Sequence, residues 1–247
     1  MEVELLRVPK PGARAPGRDP LRSLAVPSPR LARAYEGAVA PLVGTVEATL
    51  GRGALAHRPR NLVPTVHRIE LAPWRPARDR FEHGARQLAG RAVAVAVADV
   101  RACYGSIAPE VVEARLRTIG APAAAVLRVL ERFERAGVVG LPIGPAASPV
   151  LANLVLARVD DAIRAAGVRH LRWVDDLVIG GRTASAMRRA LARVEESLGE
   201  LGLTPAREKT GELDPARIRS RPDRWACGSD AGGSAVRCVP SPGTAPL

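Results

Sequence analysis

Residues 168–181, VRHLRWVDDLVIGG, set two adjacent carboxylates between two short runs of strand-forming residues. Leu171 and Trp173 precede the pair, and Leu177, Val178 and Ile179 follow it. The stretch reads as a strand, a tight turn and a second strand, with Asp175 and Asp176 in the turn. Asp favours turns, so an ordinary polar hairpin is the plain alternative. Common two-residue hairpin loops, however, use Asn-Gly or Asp-Gly, and no glycine stands at this turn. Two charges held side by side repel. A divalent cation would offset that repulsion, and carboxylate oxygens are the ligands Mg²⁺ takes, one or two at a time together with substrate phosphates.

A hairpin alone cannot complete such a site. AVAVAVADV, residues 92–100, is a small apolar run of strand length, and its odd member is Asp99 at the end. Asp99 is the expected third carboxylate, against the alternative of a cap or turn residue. The tripeptide Val-Asp-Asp also occurs at residues 159–161. There Leu151, Leu154, Val155, Val159 and Ile163 mark one face of a helix over 148–167. Asp160 and Asp161 are therefore expected as solvated carboxylates, paired with Arg158 or Arg164 at helical spacing. On this reading Asp175→Asn abolishes activity, whereas Asp160→Asn and Asp161→Asn spare it.

The rest of the chain supplies context. Residues 8–30 are rich in Pro, Gly and Arg and read as a loop or extended arm. Residues 29–50 carry helical spacing interrupted by Pro41. Helices are expected over 108–120, 122–137 and 183–202, with a Gly/Pro loop at 140–148 and a strand or loop at 203–213. Residues 51–90 hold eight arginines against three acidic residues. With a formal net charge of +12, the chain suits a polyanionic partner such as nucleic acid. A basic surface without a partner is the alternative. Only two of the 37 basic residues are lysines, Lys10 and Lys209. The three cysteines lack metal-ligand spacing, and no apolar run suggests a membrane span or signal peptide. A cytoplasmic location is expected.

Four segments in order, ADVRACYGSI, GLPIGPAASPVLANLVL, RWVDDLVIGG and LGLTPAREKT, resemble the palm motifs of reverse transcriptases. The form Pro-Ile-Gly-Pro looks most like the bacterial abortive-infection and unclassified defence-associated members. The resemblance implies an α+β fold: a polymerase palm whose antiparallel sheet is backed by helices, over residues 91–213. A mostly helical, basic, fingers-like region would precede it over 1–90, and a largely disordered tail would follow over 214–247. Too little chain follows residue 213 for a helical thumb, so the expectation is a compact member, a fragment, or half of an assembly in which a partner chain or a second copy supplies one.

The resemblance further implies RNA-directed DNA polymerase activity, with an RNA template, a DNA or other primer, and deoxynucleoside triphosphates. Two Mg²⁺ ions, with Mn²⁺ as the substitute, would be held by Asp99, Asp175, Asp176 and the Val100 carbonyl. Lys209 would protonate the leaving pyrophosphate, which an arginine at this position could not do. Tyr104 would lie under the sugar and exclude a 2′-hydroxyl. Gly140, Pro142, Gly144 and Ser148 would shape the nucleotide pocket, and Arg75, Arg78 and Arg80 would contact phosphates. The alternatives are a non-catalytic nucleic-acid-binding or scaffold protein that keeps the palm, a template-independent DNA polymerase, and an RNA-dependent RNA polymerase.

Overall fold

The computed structural model describes residues 2–9, 21–62, 68–220, 228–229 and 236–237. The chain begins with an antiparallel hairpin, β1 (Val3–Pro9) and β2 (Leu21–Pro27), in register from Val3↔Pro27 to Pro9↔Leu21. This corrects the expected loop or arm over 8–30 where the chain is described, and residues 10–20 of that segment lie outside the described residues. Val3 and Ala25 are buried in the main core, which gives the hairpin an anchored face. Helix α1 (Pro29–Val39) starts with Pro29 in its first turn, and the Ser28 hydroxyl accepts from the Leu31 amide. Pro41 breaks the run as expected: a 3₁₀ turn, Ala40–Leu42, separates α1 from α2 (Val43–Thr49). Helix α3 (Trp74–Arg91) follows.

Next come β3 (Ala94–Ala98), the short α4 (Cys103–Ser106), α5 (Pro109–Thr118) and α6 (Ala124–Arg135). The long α7 (Ala147–Ala165) leads into β4 (Arg169–Trp173) and β5 (Asp176–Gly181). Helix α8 (Ala184–Glu200), a 3₁₀ turn at Arg207–Lys209, β6 (Gly211–Leu213) and α9 (Pro215–Ser220) complete the main body. Packed structure thus continues past residue 213, because Ile218 of α9 is fully buried. Most of the tail expected to be disordered lies outside the described residues; of its described residues, Gly228–Ser229 and Val236–Arg237 form a short antiparallel pair.

Strands β4, β5, β3 and β6 lie side by side in that order, all antiparallel. The alternation in β3 sorts its residues between two cores. Ala96 and Ala98 face the larger cluster, with Leu151 and Leu154 of α7, Val194 of α8 and Phe133 of α6. Val95 and Val97 face the smaller one, with Ala77, Phe81, Ala85 and Ala89 of α3, Trp173, Val178 and Ile218. Small residues let the helices approach closely. A Cβ on Gly180 would meet Leu88 of α3 at 2.8 Å, and one on Gly181 would meet Met187 of α8 at 2.9 Å. The expected antiparallel sheet backed by helices is therefore present. Among the described residues, no helix is long and apolar enough to cross a membrane.

Candidate active site

The register of the sheet brings the carboxylates together. Ala98 pairs with Leu177, so Asp99, the residue that follows β3, comes opposite Asp176, the first of β5. Directly opposed residues point to the same face of a sheet, here the face that carries Val97, Val178 and α3. Asp175 is the second residue of the two-residue loop between Trp173 and Asp176. The chain after α8 closes the site from the other side. The Ala206 amide donates to the Asp99 carbonyl at 2.8 Å, the Asp99 amide donates to Thr210 Oγ1 at 3.3 Å, and Lys209 Nζ donates to Asp99 Oδ2 at 2.7 Å. A cavity of about 10 Å³ lies among Val97, Ala98, Asp99, Asp176, Leu177, Val178 and Lys209, room for about one water-sized particle.

Burial and mutual repulsion dominate the electrostatics. Asp99 is 4% exposed and Asp176 8%. Burial raises the Asp99 carboxyl, and the charge of Lys209 and a hydrogen bond from Asp176 only partly offset it. Asp175 is raised to about 7 by burial and then by the charge of Asp99. Asp176 is raised well above the usual range by burial, then by Asp175 and Asp99. Burial works against the Lys209 ammonium, but Asp99, Asp176 and Asp175 outweigh it and hold its proton more tightly than usual.

The turn itself is strained. Val174 has φ +55°, a left-handed conformation that is an outlier for a β-branched residue and costs about 1–3 kcal/mol. Its carbonyl accepts from Arg172 Nη1 at 3.0 Å. The same nitrogen donates to Asn153 Oδ1 at 2.9 Å, while Nε and Nη2 fork onto the carboxylate of Asp160, with Nη2 to Oδ2 at 2.8 Å. His170 Nε2 lies 3.0 Å from Asp160 Oδ1. Asp160 and Arg172 are each 1% exposed. Burial pushes the Asp160 carboxyl up, but Arg172 and His170 outweigh it and bring it down to about 2.

The expectation of two solvated carboxylates is thus corrected for Asp160 and kept for Asp161, which is exposed and pairs with Arg164. Asp160 turns inward because a buried guanidinium awaits it. The signal was legible in principle: Asn153 and Asp160 are seven residues apart and so share a helical face. Arg172 itself was missed, since an arginine inside a strand reads as a solvent-facing residue.

The other expected residues divide. Half-buried Tyr104, on α4, packs on the main core, and burial pushes its hydroxyl well above its ordinary value. Its carbonyl accepts from the Leu141 amide at 2.8 Å. Gly140 is required there: at φ +68°, a Cβ would lie 2.5 Å from the Tyr104 carbonyl oxygen. Pro142 is buried and Gly144 exposed, and the Ile143 carbonyl between them accepts from the Ala25 amide of β2 at 2.8 Å. Ser148 is fully buried, and its hydroxyl is 3.1 Å from that of Tyr35. Arg75 and Arg80 are exposed on α3, with Arg75 over the ring of Trp74. Arg78, the third arginine expected to contact phosphates, sits differently. It is buried over Phe81 and Trp173, donates to Glu82 at 2.7 Å, and its charge acts on Asp176. His57, another residue absent from the expectations, packs near Trp173, and burial followed by the charge of Arg172 lowers its pKa to about 4.

Comparison with known proteins fits this geometry. The model of the family described as "Reverse transcriptase (RNA-dependent DNA polymerase)" matches residues 49–218. The chain belongs to the reverse transcriptase family. No curated protein matches it. Among solved structures it is similar to apo telomerase from Candida tropicalis truncated from its C-terminal domain, at 11% identity and a TM-score of 0.53 over 86% of this chain and 49% of that one. It is also similar to telomerase from Candida albicans in complex with a TWJ fragment of telomeric RNA, at 10% identity and a TM-score of 0.55 over 85% and 42%. These likenesses concern the fold, and the chain spans less than half the length of either.

The family generally uses divalent metals, and the donors here fit one in kind. All are carboxylate oxygens, the chemistry that suits Mg²⁺ and Mn²⁺, and each is raised by burial and by negative neighbours that a cation would offset. Among the described residues, no three acidic, histidine or cysteine side chains already converge as a ligand cluster. Asp99 is instead engaged by Lys209.

Proposed function

We propose that this chain is an RNA-directed DNA polymerase that adds deoxynucleotides to a primer end. The observation that carries the reading is the strand register that sets Asp99 opposite Asp176, with Asp175 in the adjoining loop and Lys209 bonded to Asp99. Asp99, Asp175, Asp176 and the Val100 carbonyl would hold divalent cations. When bound, two such ions would stabilise the attacking and leaving oxygens of the displacement. Lys209 holds a proton beside these carboxylates and would deliver it to the departing pyrophosphate. Tyr104, against the Gly140 loop, would limit the room beside the sugar C2′ and favour deoxynucleotides.

Residues 1–90 serve as the basic fingers-like region and 91–213 as the palm. The Pro-Ile-Gly-Pro form of the loop supports a place among the bacterial defence-associated members. The template is taken to be RNA, in keeping with the family description and with the RNA complex of one structural relative.

Primer extension by the purified chain with Mg²⁺, on an RNA template, on a DNA template and with none, tests the reading. Extension on RNA that stops with Asp175→Asn supports it. Extension without template makes the protein a terminal polymerase, and nucleic-acid binding without extension makes it a binding or scaffold protein.

A further inference from the structure

We propose that Asp160 and Arg172 form a positioning device that holds the strained Val174 turn in the shape that presents Asp175 and Asp176. The inference rests on the reading of those carboxylates as the polymerase site. The Arg172 guanidinium is fixed on three sides. Its Nε and Nη2 are locked on Asp160, and its Nη1 is shared between Asn153 Oδ1 and the Val174 carbonyl. Asp160 and Asn153 come from one face of α7, a helix buried along most of its length. The backbone of Arg172 is held as well: its amide donates to Gly53 O at 2.8 Å, and its carbonyl accepts from the Leu55 amide at 3.0 Å. Asn153 Nδ2 donates to Ala56 O at 3.1 Å, which ties the helix to the same segment. The turn is thus braced against both α7 and residues 53–56.

A buried ion pair is poorly explained by stability alone. Well-packed apolar residues of similar volume often serve a core as well or better. What apolar residues cannot supply is a donor to one particular backbone oxygen. Here that oxygen belongs to Val174, whose left-handed conformation a β-branched residue adopts only when its surroundings impose it. A glycine in the same place would need no such brace. Valine held by a guanidinium fork gives a stiffer turn than glycine left free, and a cation site needs its ligands held closely.

The test uses the full chain. Asp160→Asn alone leaves a buried guanidinium unpaired and can unfold the protein, so the main variant is the double substitution Asp160→Leu with Arg172→Met, which removes both charges. Folding is followed by thermal denaturation, turnover by single-turnover primer extension at saturating deoxynucleotide, and the site by Mn²⁺ binding in electron paramagnetic resonance. The double variant is expected to fold and to lose about a hundredfold in rate, the scale of a misplacement near 1 Å. It should bind Mn²⁺ about tenfold more weakly, as on loss of a group that orients ligands. Adding Val174→Gly should restore much of both, and Asp161→Asn should change neither.

A folded double variant with the parent's rate and Mn²⁺ affinity overturns the proposal, as does a loss that Val174→Gly fails to recover. A pair that cannot be replaced without unfolding is a folding element, and the positioning role then falls. A parent that binds Mn²⁺ but extends no primer sinks the polymerase reading alone, and the Mn²⁺ affinities still decide the role of the pair. A parent that does neither ends both.

Discussion

Lys209 shows how much a single side chain says when its alternatives are common. It is one of two lysines beside 35 arginines, and its ammonium is 2.7 Å from the carboxylate of Asp99. Two roles are compatible with that contact. As a counterion, Lys209 only balances Asp99, and arginine would do the same. As a proton donor it must give up a proton, which arginine effectively never does. Neighbouring carboxylates hold that proton tightly while they carry charge, so any donation depends on what neutralises them. If Lys209 protonates pyrophosphate, Lys209→Arg keeps triphosphate affinity and loses at least about a hundredfold in single-turnover rate, the lower end for general acid catalysis. Lys209→Ala loses rate and affinity together. An arginine variant as fast as the parent would leave Lys209 as a counterion. The rarity of lysine made this residue legible. Asp160 was marked only by Asn153 on the same helical face, because a carboxylate on a helix is solvated by default, and its partner on the next element, β4, is what makes it internal.

At the scale of elements, local pattern carried the strands and helices whose cores lie near them in sequence. The β4–β5 hairpin follows from apolar residues on either side of a polar pair, and α5 to α8 follow from spacing and caps. The β1–β2 hairpin was not legible, because Pro, Gly and Arg around it read as loop and its supports are distant. The Ser28 amide donates to Glu2 O, Arg132 pairs with Glu2, and the Ala25 amide donates to Ile143 O. The last bond joins the hairpin to the loop against Tyr104, so the hairpin bears on the pocket. Ala25 points its amide away from β1, which makes a proline tolerable at that edge. Ala25→Pro is expected to leave the fold intact and to raise KM for deoxynucleotide about fivefold, the worth of one net hydrogen bond near 1 kcal/mol, with a smaller change in kcat. Steady-state extension kinetics check this, and an unchanged KM would detach the hairpin from the pocket.

For the molecule as a whole, the decisive quantity is charge. Many arginines are paired internally: Arg58 with Glu47, Arg78 with Glu82, Arg172 with Asp160, Arg132 with Glu2. Pairing cancels charge without creating it, so the formal excess of +12 is carried by the remaining basic groups. Two causes could produce that excess. One is a coding bias towards arginine, which places charge without regard to a ligand. The other is a surface that neutralises phosphates, and it has a measurable consequence, because each phosphate neutralised releases condensed counterions. With about five phosphates contacted, log K should fall against log salt with a slope near −4, so that affinity drops by a few hundredfold between 50 and 200 mM. Binding of an RNA–DNA primer–template, measured by fluorescence anisotropy across that range without Mg²⁺, supplies the slope. Replacing the exposed pair Arg75 and Arg80 by alanine should flatten it by between one and two units if α3 meets the backbone, whereas Arg117→Ala, on an exposed helix with its own acidic partner, should leave it in place. A parent slope shallower than −1 would reduce the arginine excess to composition, and the eight arginines of residues 51–90 to a solvated face.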